Sequence, residues 1–333
     1  MKQKVTYLLL LGLLFVLSVD LKAQQRASWM KGTWGIMNHY LADWRSQTDS
    51  IQMNVEQWNT LIDHFDTDGL AKQIAATGAN YYILTIGQNS GYYLSPNATY
   101  DKFTGIHPSK CSRRDLIADM AQSLTRYKIK LIVYLPSSAP EHDKEAIASL
   151  EWQDNKQLTP NRKFQLKWEK VIREWSLRWG TQIAGWWFDG CYSPNTMYRQ
   201  TDAPNFSTFA AAARAGNPMS IVAFNPGVYP RVHSITPFED YTAGEINDPE
   251  NVVIRFNNNG IMDGSQFHVL TFLGKFWAQG NPRFTDEQVI KFSKNILQEN
   301  GAITWDCPIL SSGLISEPFF KQLSSLGKAI GGK

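Results

Sequence analysis

Ile183-Ala-Gly-Trp-Trp-Phe-Asp-Gly190 is an apolar run that ends on a carboxylate and a glycine. Its length is that of a strand, and its continuous apolar character suits a strand covered on both faces. Gly190 lets the chain turn close to Asp189. A carboxylate that closes a buried strand costs desolvation unless it has partners or a task. A turn-capping aspartate is the alternative reading.

Similar runs recur on both sides of this one, alternating with amphipathic stretches. Before it come Trp34-Gly-Ile-Met-Asn-His-Tyr40, Asn80-Tyr-Tyr-Ile-Leu-Thr-Ile86 and Lys130-Leu-Ile-Val-Tyr-Leu135. After it come Ser220-Ile-Val-Ala-Phe224, a weaker run from Tyr241 to Ile246, Gln266-Phe-His-Val-Leu-Thr-Phe272 and Ala302-Ile-Thr-Trp305. Between them the spacing predicts a helix over 67–77 capped by Asp66, one opened by Ser112 or Asp115 and running to Tyr127, and a long one over 162–179. Further helices are expected over 206–215, from the Thr285 cap to Gln298, and over 319–330. Eight strand-like runs separated mostly by helices predict an α/β protein, a single (β/α)8 TIM barrel over 24–333. The rhythm is irregular around strands 5–7, where Pro- and Asn-rich loops replace good helices. A doubly wound sheet is the alternative, but no glycine-rich phosphate loop follows the first strand.

Of 333 residues, 33 are Lys or Arg and 30 are Asp or Glu. Lys2 and Lys4, the apolar run Tyr7–Val19 and the small Ala23 read as a secretory signal peptide over 1–23, with an uncleaved anchor as the alternative. Its removal takes away Lys2, Lys4, Lys22 and Asp20, leaving 30 basic and 29 acidic residues. That near-neutral balance disfavours nucleic acid as a partner. A periplasmic or secreted protein with no membrane attachment after cleavage is expected. Cys111, Cys191 and Cys307 form no CxxC, so the fold is not expected to rest on disulfides and the site is expected to need no metal or cofactor. The 12 Trp supply flat rings for sugar faces or for core filling.

In such barrels the working residues sit at the C-terminal ends of the strands. Those ends hold Asn38, His39 and Tyr40; Gln88 and Asn89; Tyr134; Asp189; Asn225; Glu245; Lys275 and Trp277; Trp305 and Asp306. Asp189 and Glu245 lie about two strands apart across the same mouth. Two carboxyl groups flanking a site suit glycoside hydrolysis, one acting on the anomeric carbon and the other on the leaving oxygen. A surface loop acid is the alternative for Glu245, and Asp306, Asp43, Asp248 and Glu141 are rivals. His39, Gln88, Asn89, Tyr134 and Asn225 are candidates for holding sugar hydroxyls. Trp187, Trp277 and Trp305 are candidates for stacking faces, whereas Trp58, Trp168, Trp175 and Trp179 lie on expected helices as packing residues. Asn97-Ala-Thr and Asn205-Phe-Ser match a glycosylation pattern of low specificity.

Several blocks resemble the α-L-fucosidases of glycoside hydrolase family 29. Trp34–Tyr40 is similar to the family's first strand and its His-Trp-Gly element. Leu70–Thr85 is similar to its first helix and second strand, and Arg113-Arg-Asp-Leu116 to the Arg-Asp element opening the next helix. Trp186-Trp-Phe-Asp-Gly190 resembles the element whose Asp is the nucleophile, and Ser311-Ser-Gly-Leu-Ile315 with Leu326-Gly the closing segment. The resemblance covers about residues 30–330 and implies a retaining exo-glycosidase acting on carbohydrate, with Asp189 as nucleophile. Glu245 as acid/base is read from the residues rather than carried over. Three departures stand out. Gln88-Asn-Ser-Gly91 occupies the place of the family's His-His-Asp-Gly, Tyr40-Leu41 replaces Trp-Gly, and the β-sandwich that usually follows the barrel is not in this sequence. A glycosidase for another sugar and an inactive glycan-binding barrel are the alternatives.

Overall fold

The computed structural model describes residues 25–153, 160–192, 198–229, 231–249 and 259–331; the expected signal peptide lies outside them. Five strands come first: β1 (Trp34–Asn38), β2 (Tyr81–Thr85), β3 (Lys130–Pro136), β4 (Gly185–Asp189) and β5 (Ile221–Phe224). A two-residue hairpin follows, β6 (Ile261–Met262) with β7 (Ser265–Gln266), then β8 (His268–Phe272) and β9 (Ala302–Asp306). All but the hairpin form one curled parallel sheet in the order β5-β4-β3-β2-β1-β9-β8, flanked by helices. Side chains alternate across this sheet with the two-residue period of a strand. Met37, Ile83, Ile132, Tyr134, Trp187, Ala223 and Leu270 point to the inside of the curl. Ile36, Leu84, Val133, Trp186, Phe188, Val222 and Trp305 point outward and pack against the helices.

Side-chain caps set several helix starts. Asp115 accepts from Ala118 N at 3.1 Å, so the helix Leu116–Thr125 opens at Asp115 rather than at Ser112. Thr285 and Gln288 form a reciprocal capping box ahead of Asp286–Gln298. Asn97 and Asn205 cap the helices Ala98–Thr104 and Phe206–Ala213. The Asn97 amide is fully buried and also donates to Val171 O at 3.0 Å, so this site is a structural cap and not an accessible glycan acceptor. The last helix begins at Glu317, earlier than the sequence suggested, and the three cysteines are free and buried.

The weak sixth run departs from a regular strand. Residues 241–246 make only isolated bridges, Tyr241 to Gln266 and Glu245 to Leu270. Yet the run is tied to both edges of the sheet. Asp240 N donates to Val222 O at 2.8 Å, and Ile246 N donates to Leu270 O at 2.9 Å. Gly244 explains the interruption. Its φ is +66°, and a Cβ there would stand 1.9 Å from the His268 carbonyl oxygen. The start of the run is pinned by Asp240, fully buried between Arg26 Nη2 at 2.7 Å and Arg214 Nη2 at 2.5 Å. Ala27 and Met30 join the inner cluster next to Arg26 and close that end of the curl.

Candidate active site

The strand period decides which residues reach the site. Two residues beyond Met37, Trp187, Ala223, Ala243 and Thr304 stand His39, Asp189, Asn225, Glu245 and Asp306, all on the inner parity. They gather where the parallel strands end. A cavity of about 190 Å³ opens there, lined by His39, Trp44, Gln88, Tyr134, Trp187, Asp189, Glu245, Phe276 and Trp277 over a base of Met37 and Leu270.

Asp189 accepts four hydrogen bonds. Its Oδ1 receives Gly190 N, Tyr192 Oη and Asn225 Nδ2, each at 2.8 Å. Among the described residues its Oδ2 receives only Tyr134 Oη, at 2.5 Å, and Gln88 Nε2 donates to that same hydroxyl at 2.5 Å. Burial, then the charge of Asp189, pushes the Tyr134 phenol well above its ordinary value, so it remains a donor.

Asn225 joins the two carboxyl groups. Its Nδ2 donates to Glu245 Oε2 at 2.5 Å as well as to Asp189 Oδ1 at 2.8 Å. Laid end to end those bonds place the two oxygens no more than about 5.3 Å apart. Gly227 N donates to Asn225 Oδ1 at 3.0 Å, which fixes the amide's orientation. Glu245 has its carboxyl pushed up to about 7 by burial first and by the charge of Asp189 second. Among the described residues, therefore, the site holds two carboxyl groups in different environments, one with four donors and one with a single donor.

His39 is turned by Asp306. Its Nδ1 lies 2.8 Å from Asp306 Oδ1, while Asp306 Oδ2 accepts from Ala278 N at 2.6 Å. Burial raises Asp306, partly offset by His39. The ring of His39 meets Tyr134 and Trp277 edge-on at 5.5 and 6.0 Å.

Among the residues expected from the sequence, Asp189, Glu245, His39, Gln88, Tyr134, Trp187 and Trp277 line one cavity, and Asn225 stands behind its two carboxyl groups. Two others are placed elsewhere. Trp305 has the outward parity: its indole donates to Ser293 Oγ at 2.9 Å in the helix layer, and Phe284 and Phe292 pack around it. Asn89 is not in the cavity wall; its carbonyl accepts from His142 N at 2.8 Å. Of the rival acids, Asp306 serves His39, Asp43 faces His142 at 3.6 Å, and Glu141 and Asp248 are exposed. Trp58, Trp168, Trp175 and Trp179 are core residues as expected.

Trp44, Phe276 and Tyr192 were not foreseen. Trp44 comes from the helix Ala42–Thr48 and Phe276 from a turn, so a reading confined to strand ends passes over both. Tyr192 follows Asp189 by three residues, and its hydroxyl reaches back to that carboxylate although the side chain is half exposed.

No curated protein sequence matches the chain. Solved structures resemble it in fold. The endo-fucoidan hydrolase MfFcnA4 of glycoside hydrolase family 107 has a TM-score of 0.70 at 20% identity, over 91% of this chain and 53% of that one. The endo-fucoidan hydrolase P5AFcnA of the same family has a TM-score of 0.70 at 17% identity, over 92% and 93%. Alpha-L-fucosidase isoenzyme 1 from Paenibacillus thiaminolyticus has a TM-score of 0.62 at 16% identity, over 92% and 75%. The family model described as Alpha-L-fucosidase matches residues 17–329, nearly the whole sequence, and the chain accordingly belongs to the α-L-fucosidase family of glycoside hydrolases.

Proposed function

We propose that the protein is an exported glycosidase that removes α-L-fucosyl groups with retention, on a (β/α)8 barrel whose irregular stave is the run 241–246. One observation carries the reading. A single amide, Asn225, holds oxygens of Asp189 and Glu245 within about 5.3 Å, at the mouth of a sugar-sized cavity. Retaining enzymes place their carboxyl groups about 5–5.5 Å apart and inverting ones about 6.5–9.5 Å.

The hydrogen bonds support a division of roles. A carboxylate oxygen has two lone pairs. Among the described residues Oδ1 of Asp189 carries three donors and Oδ2 one, which favours Oδ2 as the attacking atom. It bonds to the anomeric carbon as the glycosidic C–O bond breaks, and the leaving oxygen takes the proton from Glu245. Esterification removes the charge of Asp189, and the carboxyl of Glu245 becomes more acidic. As a carboxylate it then takes a proton from water, whose oxygen displaces Asp189 from the sugar. The apolar group of Met37, Leu270 and Phe276 suits the methyl of a 6-deoxy sugar, and the family assignment supports fucose. Export rests on the signal-like residues 1–23 alone.

A second reading, a glycosidase for another sugar, has its own observation. One hydrogen of the Gln88 amide is engaged by Tyr134, so this residue supports Asp189 as well as facing the cavity. Incubation with 2-fluoro-fucosyl fluoride followed by intact and peptide mass analysis tests the proposal. A fluoro-fucosyl adduct on Asp189 is expected; turnover with the adduct elsewhere removes the nucleophile assignment. Adducts formed only with other fluoro-glycosides favour the second reading.

A further inference from the structure

Asn225 has its footing on β4. Its backbone N donates to Phe188 O at 2.7 Å, and its carbonyl accepts from Cys191 N at 2.9 Å, so the chain is clamped on either side of Asp189. The residue is fully buried. Its side-chain amide has two hydrogens, and both go to carboxyl groups, one to Asp189 Oδ1 and the other to Glu245 Oε2. Gly227 N occupies the amide oxygen. A flipped amide would set that oxygen against both carboxyl groups and its NH2 against an N–H, so one orientation is fixed from both ends.

The two bonds differ in weight. Oδ1 of Asp189 also receives Gly190 N and Tyr192 Oη, so it is held without Asn225. Glu245 lies on a run that makes isolated bridges, and among the described residues Asn225 is the one donor to its carboxyl. The other ionisable groups around it are Asp189, His39 and Tyr192, with Tyr229, Arg231 and His233 on the far side. In a protonated carboxyl one oxygen carries the hydrogen, and the carbonyl oxygen is the better acceptor. A donor fixed on Oε2 therefore puts the transferable hydrogen on Oε1.

Resting on the roles given to Asp189 and Glu245 above, we propose that Asn225 is the positioning residue of proton transfer: it fixes the acidic hydrogen on Glu245 Oε1 and holds that carboxyl beside Asp189. In the first half of the reaction the hydrogen passes from Oε1 to the leaving oxygen, as the glycosidic C–O bond breaks and Oδ2 bonds to the anomeric carbon. The negative charge then lies on Glu245 instead of Asp189, and the same amide already donates to it. In the second half water gives a proton to Oε1 while its oxygen displaces Oδ2, which returns the charge to Asp189. A donor pair set between the two positions of the charge serves both stages without rearranging.

Leaving groups separate this role from a purely structural one. Fluoride departs from α-L-fucosyl fluoride with little need of an acid, whereas the phenol of 4-methoxyphenyl α-L-fucoside requires one. Asn225→Ala removes both donors. Asn225→Asp keeps the volume and the bond from Gly227 N but has at most one hydrogen to give. In each variant kcat/KM for the aryl fucoside is expected to fall at least about tenfold relative to kcat/KM for the fluoride. Equal losses on both substrates, or no loss on either, overturn the inference and leave the glycosidase reading standing. No cleavage of either substrate by the parent removes that reading and the inference with it. Should neither variant fold, the parent decides the matter by NMR with nitrogen-15 in its asparagine side chains. The Asn225 hydrogen facing Glu245 is expected to move downfield as the pH is raised through about 7, where that carboxyl ionises; a hydrogen that does not respond overturns the inference.

Discussion

Replacing Asp189 by Asn isolates the coupling between the two carboxyl groups. After burial, the charge of Asp189 is the next cause of the raised pKa of Glu245. Oxygens within 5.3 Å repel by about 3 kcal/mol at an effective dielectric of about 20. At about 1.4 kcal/mol per unit this corresponds to roughly two pKa units. The cavity opens to solvent, and screening reduces the effect to about one unit. The carboxyl of Glu245, held up to about 7 in the parent, is therefore expected to titrate roughly one unit lower in the variant. The assay is a pH titration by NMR of protein carrying carbon-13 at the glutamate carboxyls, with Glu245→Gln to assign the resonance. On the retaining mechanism proposed above, the same drop accompanies esterification of Asp189 and converts Glu245 from proton donor to base. A shift below about 0.3 units, or an upward one, would refute the reasoning: burial alone would then hold the proton.

Three further outcomes follow from the same contacts. The folded-state pKa of Glu245, about 7, lies above its ordinary 4.5, so folding retains a proton that the unfolded chain loses and stability falls as pH rises across that window. Glu245→Gln does not titrate and should gain about 2–3 kcal/mol on the parent between pH 5 and pH 8; a difference in Tm that is the same at both pH values contradicts this. Tyr134→Phe removes the Tyr134 donor to Asp189 Oδ2 and is expected to lower kcat about tenfold with KM little changed, which steady-state kinetics on an aryl fucoside will decide. Trp305→Phe, which leaves Ser293 without its partner in the helix layer, should cost about 1–3 kcal/mol in denaturant unfolding with unaltered KM; a raised KM would return Trp305 to the site.

Much of this was legible in the residues, and the limits are instructive. Apolar runs located all seven strands of the main sheet because a strand covered on both faces must be continuously apolar. Asp189 stood out because it breaks such a run. Trp305 was misassigned to the site although its parity was readable: Asp306 and Thr304 share the inner face, so the residue between them must point out. Asn89 went astray for a different reason, because the chain past β2 turns away and the two-residue period lapses there. Trp44 and Phe276 could not be read at all, since they reach the cavity from a helix and a turn whose placement depends on tertiary packing. Asn225 was expected to touch sugar; its amide is instead engaged by both carboxyl groups, a pairing that joins residues 36 and 20 positions away.

The unequal footing of the two carboxyl groups has a consequence for how such a site can change. Asp189 ends a strand laddered on both sides, to β3 and to β5. Glu245 rides a run with only isolated bridges, kinked at Gly244 and tied by backbone bonds to Val222, Gln266 and Leu270. Moving the first would dismantle two ladders. Moving the second would disturb isolated bonds rather than a continuous ladder. Divergence in substrate and leaving group is thus open to a lineage that keeps Asp189 in register and lets Glu245 drift.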